Sequence, residues 1–197
     1  MEVVSEKLVF VVIDGLDASG KSTQGTSLYR HFLGIGKTAL LRIHPSNDNL
    51  FGYEARRFLY SKGKSAHFAS ALFYMLDVIR SILLYSWRRY DCMIFVRYLL
   101  GTAYLPTPLD LIGYHFFASI VPTSDYMFFL DVLPEEAEKR IRRSRGTMEM
   151  FETLESLRKV RRKALYLVST GKWRTIDGDK PEIEVERAIG SVFGLSF

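Results

Sequence analysis

The residues best suited to chemistry form one run near the N-terminus: Gly15-Leu16-Asp17-Ala18-Ser19-Gly20-Lys21-Ser22, followed by Thr23. The run matches the phosphate-binding pattern G-x-x-x-x-G-K-[ST] in full. The two glycines let the loop turn so that backbone N–H groups point inward, and a helix starting at Ser22 adds its positive end. Lys21 can reach terminal phosphates, and the Ser22 hydroxyl can bind Mg²⁺. We therefore expect residues 15–23 to bind a nucleoside triphosphate, with Lys21 catalytic and Ser22 as the metal ligand.

The elements around this run have the order that such a loop requires. Leu8–Ile13 is apolar at every position, which predicts a strand covered on both faces, and Ser22–Phe32 predicts the helix after it. The remaining predicted strands are Thr38–Ile43, Cys92–Val96, Tyr126–Val132 and Trp173–Ile176; the remaining predicted helices are Ala66–Trp87, Leu111–Ile120, one from Pro134, Glu149–Val168 and one from Pro181. This alternation predicts a doubly wound α/β fold whose ligands bind beyond the carboxyl ends of the strands.

Composition bounds the class of protein. A chain of 197 residues, 48% apolar and 25% charged, predicts one globular domain over residues 1–197. The net charge of +5 suits a small phosphate-bearing ligand at least as well as nucleic acid. The basic run Arg158–Lys163 is interleaved with apolar residues and has no aromatic platform, so we do not expect nucleic-acid binding. The single cysteine excludes an internal disulfide, and no targeting or membrane segment is evident, so we expect a cytoplasmic protein.

Beyond the phosphate-binding loop, the chain resembles the thymidylate kinase family in a series of motifs that follow the family's order. They are Phe10–Gln24, Ala71-Leu72-Phe73, Arg97-Tyr98 with Ala103-Tyr104, Phe128–Val132, Pro134–Ala137 and Ile176-Asp177-Gly178. The resemblance implies a P-loop kinase fold with a five-stranded parallel sheet and helices on both faces. It also implies transfer of the γ-phosphoryl group of ATP to thymidine monophosphate (dTMP), with Mg²⁺, in a homodimer.

The resemblance also implies roles on the acceptor side. Asp17 would bind the 3′-hydroxyl of the acceptor sugar, Phe73 would stack on the base, and Tyr104 would line the sugar pocket. Arg97 follows the third strand, where its planar fork could grip the acceptor phosphate. A turn-forming Asp17, a core Phe73 and a surface Arg97 remain open as alternatives. The segment 175–181 resembles the loop that packs on adenine, although a plain strand-to-helix turn is equally consistent.

A basic stretch at about residues 139–150 resembles the lid that closes over the phosphates in this family. Glu135, Glu136 and Glu138 lie four residues before Lys139, Arg140 and Arg142, so those three cations can be paired locally. Arg143 and Arg145 have no acid at that spacing, and we therefore expect them to neutralise charge in phosphoryl transfer. The alternative is a solvated basic face.

Three positions depart from the family pattern. Val96 stands where the family has an aspartate near the metal; we expect this position to face the metal, and Asp14 or Asp131 could partly stand in. Asp77 stands where an arginine commonly donates to thymine. It could accept from a base N–H, or pair with Arg80 on the helix surface. Arg42 is displaced by one residue from the family's arginine after the second strand, but it could still reach the acceptor phosphate.

These departures keep two alternatives open. One is a kinase of the same fold that phosphorylates a different nucleotide or a nucleoside. The other is a nucleotide-binding protein with little catalytic activity, which the missing carboxylate at Val96 would favour.

Overall fold

The computed structural model describes residues 8–61, 64–144 and 153–195. The elements in chain order are β1 (Val9–Gly15), α1 (Lys21–Gly34), β2 (Ala39–Ile43), α2 (Leu50–Leu59), α3 (Lys64–Tyr85), β3 (Cys92–Val96), a 3-10 helix (Leu100–Tyr104), α4 (Leu109–Ile120), β4 (Tyr126–Asp131), α5 (Pro134–Ser144), α6 (Leu154–Ser169), β5 (Trp173–Asp177) and α7 (Glu182–Ser191). All strands are parallel, in the order β2-β3-β1-β4-β5. The predicted five-stranded parallel sheet is confirmed.

Helices cover both faces of this sheet, as predicted. On one face, side chains of α3, α4 and α6 pack on alternate sheet residues such as Phe95 and Phe129. On the other face, α1 and α7 pack on the intervening residues, among them Ile94 and Phe128. Because β1, β3 and β4 are buried on both faces, they are apolar at nearly every position, which is why the sequence identified them.

The strand register brings the functional segments to one edge. Ile13 of β1 is paired with Val96 of β3, which is paired with Ile43 of β2, so the loops that follow these strands lie side by side. Gly15 is required here, because a Cβ at this position would come within 2.6 Å of the Leu130 carbonyl oxygen. The phosphate-binding loop therefore leaves β1 pressed against the end of β4.

Two elements are missing from the sequence predictions. Helix α2 contains apolar, small and basic residues without a clear apolar run, but Asn49 caps it by accepting hydrogen bonds from the N–H groups of Phe51 and Gly52. The 3-10 helix after β3 is too short for a periodic signal. Helix α6 begins at Leu154 with Thr153 as its cap; the earlier part of its predicted span, residues 149–152, lies outside the described residues.

Helix α3 is unusually apolar. Its segment Phe68–Tyr85 is the one span in the described part of the chain that passes a length-and-composition test for crossing a membrane, a test that core helices also pass. Its Tyr74 and Val78 are buried against the sheet, and Ser70 donates a hydrogen bond to the Ala55 carbonyl of α2. We therefore interpret α3 as a packed helix of the fold.

Candidate active site

The phosphate-binding loop is folded as its motif requires. Ala18 and Gly20 both have left-handed backbone, with φ of 58° and 89°, which turns the loop before α1 begins at Lys21. The Lys21 side chain is buried; its Nζ donates to the Leu16 carbonyl and lies 3.4 Å from Ser19 Oγ. Burial lowers the pKa of Lys21, and nearby Arg97 lowers it further, against the opposing effect of Asp17 and Asp14, to about 7. The lysine is therefore only partly charged near neutral pH, and a bound phosphate would favour its charged form.

The metal ligand expected at Ser22 is compatible with its position. Ser22 is exposed in the first turn of α1, next to the loop. Within the described ranges, no group of three or more metal-ligating side chains occurs. Mg²⁺ binds proteins through few side chains and fills its coordination sphere with water and phosphate oxygens. One hydroxyl beside a phosphate-binding loop fits that chemistry.

The two carboxylates considered as substitutes at Val96 have other partners. Asp14 is buried and accepts hydrogen bonds from the N–H groups of Tyr98 and Leu100, at 2.9 and 3.1 Å; burial raises its pKa. Asp131 forms a two-point ion pair with Arg161, at 2.7 and 2.8 Å. Both therefore hold the structure together in this arrangement.

The expectation that Val96 faces the metal does not fit its packing. Val96 is fully buried, and a Cβ placed at Gly25 of α1 would come within 2.5 Å of Val96 Cγ2. Leu41 and Ile94 reach the same point of α1. The side chain therefore fills the apolar layer between the sheet and α1.

Asp17, Arg97 and Tyr104, for which the resemblance implies roles on the acceptor side, meet in one polar cluster. The Arg97 guanidinium pairs with Asp17, and the Tyr104 hydroxyl donates to the other carboxylate oxygen of Asp17 at 2.9 Å. Burial raises the pKa of Asp17, but Arg97 and Lys21 outweigh it and lower the pKa to about 2. Burial opposes the charge of Arg97, yet Asp17 raises its pKa above the usual range. The surface alternative for Arg97 is therefore wrong, because its side chain joins this largely buried cluster.

The backbone of Arg97 is strained. Its φ is +61°, in the left-handed region that costs a residue with a Cβ about 1–2 kcal/mol. Such strain persists where surrounding contacts impose it, and it concentrates at functional sites. Here it turns the chain at the end of β3 and directs the guanidinium toward Asp17.

Asp77 does not have the contacts considered for it. It is fully buried, and its carboxylate accepts hydrogen bonds from Ser46 N and Oγ, both at 2.6 Å, and from Asn49 Nδ2 at 2.7 Å. The surface pair with Arg80 is wrong, because Arg80 lies near Asp48 instead, at 3.7 Å. Contact with a base is also contradicted, because both oxygens are taken by the loop before α2.

Arg42 is likewise occupied by protein groups. Its two terminal nitrogens bind Asp48 at 2.8 and 3.0 Å, its Nε lies 3.3 Å from Ser81 Oγ, and its guanidinium lies over the Tyr85 ring. The expected contact with the acceptor phosphate does not fit this arrangement. The displacement by one residue explains it, because successive residues of a strand point to opposite faces.

Phe73 lies half-buried on α3 and stacks on Phe58 of α2. The two rings are nearly parallel, at 8°, with centroids 5.8 Å apart. One side of the Phe73 ring packs on Phe58, which agrees with the core alternative for that side. Base stacking by Phe73 stays a prediction.

The ion pairs of the basic stretch nearly match those that its residue spacing predicted. Arg140 and Arg142 pair with Glu136 and Glu138. Lys139 pairs with Glu136 rather than with Glu135, which binds Arg158 of α6 across the helix pair. Arg143 is exposed, without an ion pair among the described residues. Arg145 and the rest of the predicted lid, residues 145–150, lie outside the described residues.

A cavity of about 510 Å³ opens beside the phosphate-binding loop. Its lining residues come from the loop, α1, α5, the turn after β5 and the start of α7: Ala18, Ser19, Gly20, Thr23, Gln24, Arg140, Gly178, Asp179, Lys180, Pro181, Glu182 and Val185. Arg140 also donates to the Gly178 carbonyl at 3.1 Å, which joins α5 to that turn. Sequence reasoning missed Arg140 because Glu136 already explained its charge; its partner Gly178 is remote in sequence.

Comparison with known proteins agrees with this geometry. A family model described as thymidylate kinase matches residues 13–189. A thymidylate kinase of Leptospira interrogans is 26% identical over 196 residues, covering 96% of this chain and 95% of that protein. A probable thymidylate kinase of Pyrococcus horikoshii is 29% identical over 194 residues, covering 93% and 89%. The solved structure of thymidylate kinase from Candida albicans has the same fold, with a TM-score of 0.70 at 19% identity, covering 94% of this chain and 89% of that one.

Proposed function

Since the chain belongs to the thymidylate kinase family and is therefore a nucleoside monophosphate kinase, we propose that it transfers the γ-phosphoryl group of ATP to dTMP, giving dTDP. The observation that carries the proposal is the Asp17–Arg97–Tyr104 cluster beside Lys21. It combines a phosphate-binding loop with a neighbouring group of polar side chains suited to a second, sugar-bearing phosphate.

The donor side of the reaction uses the loop and the cavity. The N–H groups of residues 15–23 and Lys21 bind the ATP phosphates, and the cavity lined by Arg140 and the turn at Gly178 receives the adenosine part. Ser22 would hold Mg²⁺, which supplies charge neutralisation on the phosphates. Phosphate binding returns Lys21 to its charged form, so the lysine is fully cationic only once the donor is in place.

The acceptor side uses the cluster. Arg97 aligns the dTMP phosphate, one oxygen of which attacks the γ-phosphorus while the bond to the β–γ bridging oxygen breaks. Asp17 accepts a hydrogen bond from the 3′-hydroxyl, Tyr104 lines the sugar, and Phe73 stacks on the base. Residues 1–197 act as one kinase domain, in which Arg143 and Arg145 of the lid, at about residues 139–150, neutralise charge on the transferring group. Positioning supplies most of the rate, without a covalent intermediate.

The enzyme is proposed to be a homodimer. On the face of the sheet that carries α3 and α4, several large apolar side chains remain exposed: Phe68, Leu72, Leu83, Ile112, Phe116 and Ile120. Apolar area of this kind is what a permanent interface between two copies buries. Light scattering after size exclusion should give a dimer mass for the chain and a monomer mass for Phe116→Arg, whereas a monomeric wild-type chain would contradict the proposal.

Neither a nucleic acid nor a membrane partner belongs to the proposal, and the cytoplasm is its proposed location. The cations of α6 that formed the basic run are largely paired with acids: Arg158 with Glu135, Lys159 with Glu155 and Arg161 with Asp131. Cations that are already paired with acids neutralise few phosphates of a nucleic acid, so few counterions are released and binding to a nucleic acid is weakened.

The proposed function is tested with purified protein, ATP and Mg²⁺ against a panel of nucleoside monophosphates, with ADP formation as the readout. Turnover should be highest with dTMP. Lys21→Ala is the control; it should abolish turnover, because the lysine neutralises charge that develops on the phosphates, and it should keep the far-UV circular dichroism spectrum. The proposal would be overturned if Lys21→Ala turned over as fast as the wild-type protein, or if the wild-type protein phosphorylated the other acceptors but not dTMP.

A further inference from the structure

His44 is a fully buried polar side chain that none of the proposed catalytic steps uses. It follows β2, and its ring packs on Phe95 with centroids 5.2 Å apart. Its Nδ1 lies 3.2 Å from the carbonyl oxygen of Arg97, and its Nε2 lies 2.9 Å from Ser81 Oγ of α3. Both ring nitrogens therefore have a partner inside the protein.

The partners determine which nitrogen carries the proton. A carbonyl oxygen can only accept, so Nδ1 must be the protonated nitrogen facing Arg97. Burial lowers the pKa of His44 to about 4, against a smaller opposing effect of Asp77, so the ring is neutral near pH 7 and Nε2 accepts from the Ser81 hydroxyl. The Ser81 oxygen in turn accepts from Arg42 Nε, because arginine can only donate. The hydrogen bonds run in one direction, from Arg42 through Ser81 and His44 to Arg97.

His44, the last residue of this hydrogen-bond chain, contacts Arg97 at its strained backbone. The imidazole holds the Arg97 carbonyl, and the His44 carbonyl lies 3.5 Å from the Arg97 guanidinium, so His44 contacts both the main chain and the head group. The main chain of His44 is itself fixed, because its N–H donates to the Val96 carbonyl at 3.0 Å. A left-handed arginine needs such contacts to remain in place.

The hydrogen-bond chain begins at Arg42, which forms an ion pair with the exposed Asp48. Asp48 binds both terminal nitrogens of Arg42, and Ser46 Oγ lies 2.9 Å from Asp48 Oδ1. Asp77 holds Ser46 and Asn49 of the same loop. The two departures at Arg42 and Asp77 thus belong to one network, exposed at Asp48 and buried at Asp77 and His44, that ends at Arg97.

We propose that the hydrogen-bond chain Arg42–Ser81–His44 sets the conformation of Arg97, with His44 as its positioning residue; the inference rests on the proposed role of Arg97 toward the acceptor phosphate. His44 touches neither substrate. Its effect is to hold the Arg97 carbonyl, and through it the guanidinium, where the acceptor phosphate binds. The hydrogen-bond chain meets the phosphate-binding loop at Asp17, which pairs with the Arg97 guanidinium and is assigned to the acceptor sugar rather than to ATP.

The kinetic test compares two variants of His44. His44→Leu removes the donor to Arg97, whereas His44→Asn keeps an N–H close to the position of Nδ1. In His44→Leu, kcat/KM for dTMP should fall roughly tenfold or more, as when a supporting hydrogen bond of a site is removed, while KM for ATP stays near the wild-type value. His44→Asn should recover most of that loss at a similar melting temperature. Equal losses toward both substrates, or no recovery in His44→Asn, would overturn the proposal.

Ser81→Ala and a spectroscopic measurement decide the matter if His44→Leu does not fold. Ser81→Ala removes the donor to Nε2 and should lower kcat/KM for dTMP in the same direction, by less than His44→Leu; wild-type values would contradict the chain of hydrogen bonds. Nitrogen-15 NMR of the wild-type histidines should show His44 as the neutral Nδ1–H tautomer, and an Nε2–H tautomer would contradict it. Absence of wild-type turnover with dTMP would instead refute the proposed function, which the tautomer does not depend on.

Discussion

Lys21 makes nucleotide binding depend on pH in a way that can be calculated. Its pKa in the free protein is about 7, and bound phosphates should raise it toward the ordinary value of about 10.4. Between these two values the complex holds more protons than the free protein, so binding takes up protons and affinity falls as pH rises. The free lysine is about half neutral at pH 7 and about nine-tenths neutral at pH 8. Affinity for Mg²⁺-ADP should thus fall roughly fivefold from pH 7 to 8 and about tenfold from pH 8 to 9.

Isothermal titration calorimetry measures both quantities. At about pH 8, titrations in two buffers of different ionisation enthalpy should give an uptake of about 0.9 proton per Mg²⁺-ADP bound. Lys21→Arg is the matched control, because a guanidinium stays charged over this range and should bind without that uptake. A flat affinity and no uptake in the wild-type chain would show that Lys21 is already charged before the nucleotide arrives, and the reasoning from its burial would be refuted.

Substitutions at three further positions test separate parts of the site. Arg143→Ala should lower kcat with little change in KM for ATP, because a lid arginine acts on the transition state. Initial-rate measurements at varied ATP concentration give both constants, and an unchanged kcat would show that Arg143 is only a solvated cation. Val96→Asp should destabilise the fold by about 2–4 kcal/mol, or roughly 5–15 °C in melting temperature, and Val96→Asn should do so less at neutral pH. A higher kcat in Val96→Asp would show that the position serves the metal after all. Arg161→Ala should lower the melting temperature with unchanged KM values, because it leaves Asp131 without its partner; altered kinetics would place Asp131 in the site.

The sheet and the donor loop were predictable because their signals are local. Val11, Val12 and Ile13 are buried on both faces of a parallel sheet, and such strands are apolar at every position. The loop that follows is specified by a contiguous motif. Helix α2 also has local signals, in the Asn49 cap and in Arg56 and Arg57 of its last turn, but they are weaker than an apolar stripe.

The acceptor side was harder because its contacts join residues far apart in the sequence. Asp77 binds Ser46, and Ser46 contacts Asp48, which holds Arg42; only the packing of α3 beside the loop before α2 brings these groups together. A buried aspartate and a surface aspartate look alike in a helical sequence pattern. His44 carries no motif at all, and the structure alone shows its two partners.

The cavity beside the phosphate-binding loop lies between two segments that are far apart in the sequence. Gln24, in the first helix, donates a hydrogen bond to the Glu182 carbonyl, 158 residues later, and the cavity lies between these segments. A polypeptide still emerging from the ribosome would contain the whole phosphate-binding motif long before it contains the wall opposite. The nucleotide can thus bind well only to the finished fold, and by mass action it stabilises that complete state over shorter or partly opened ones.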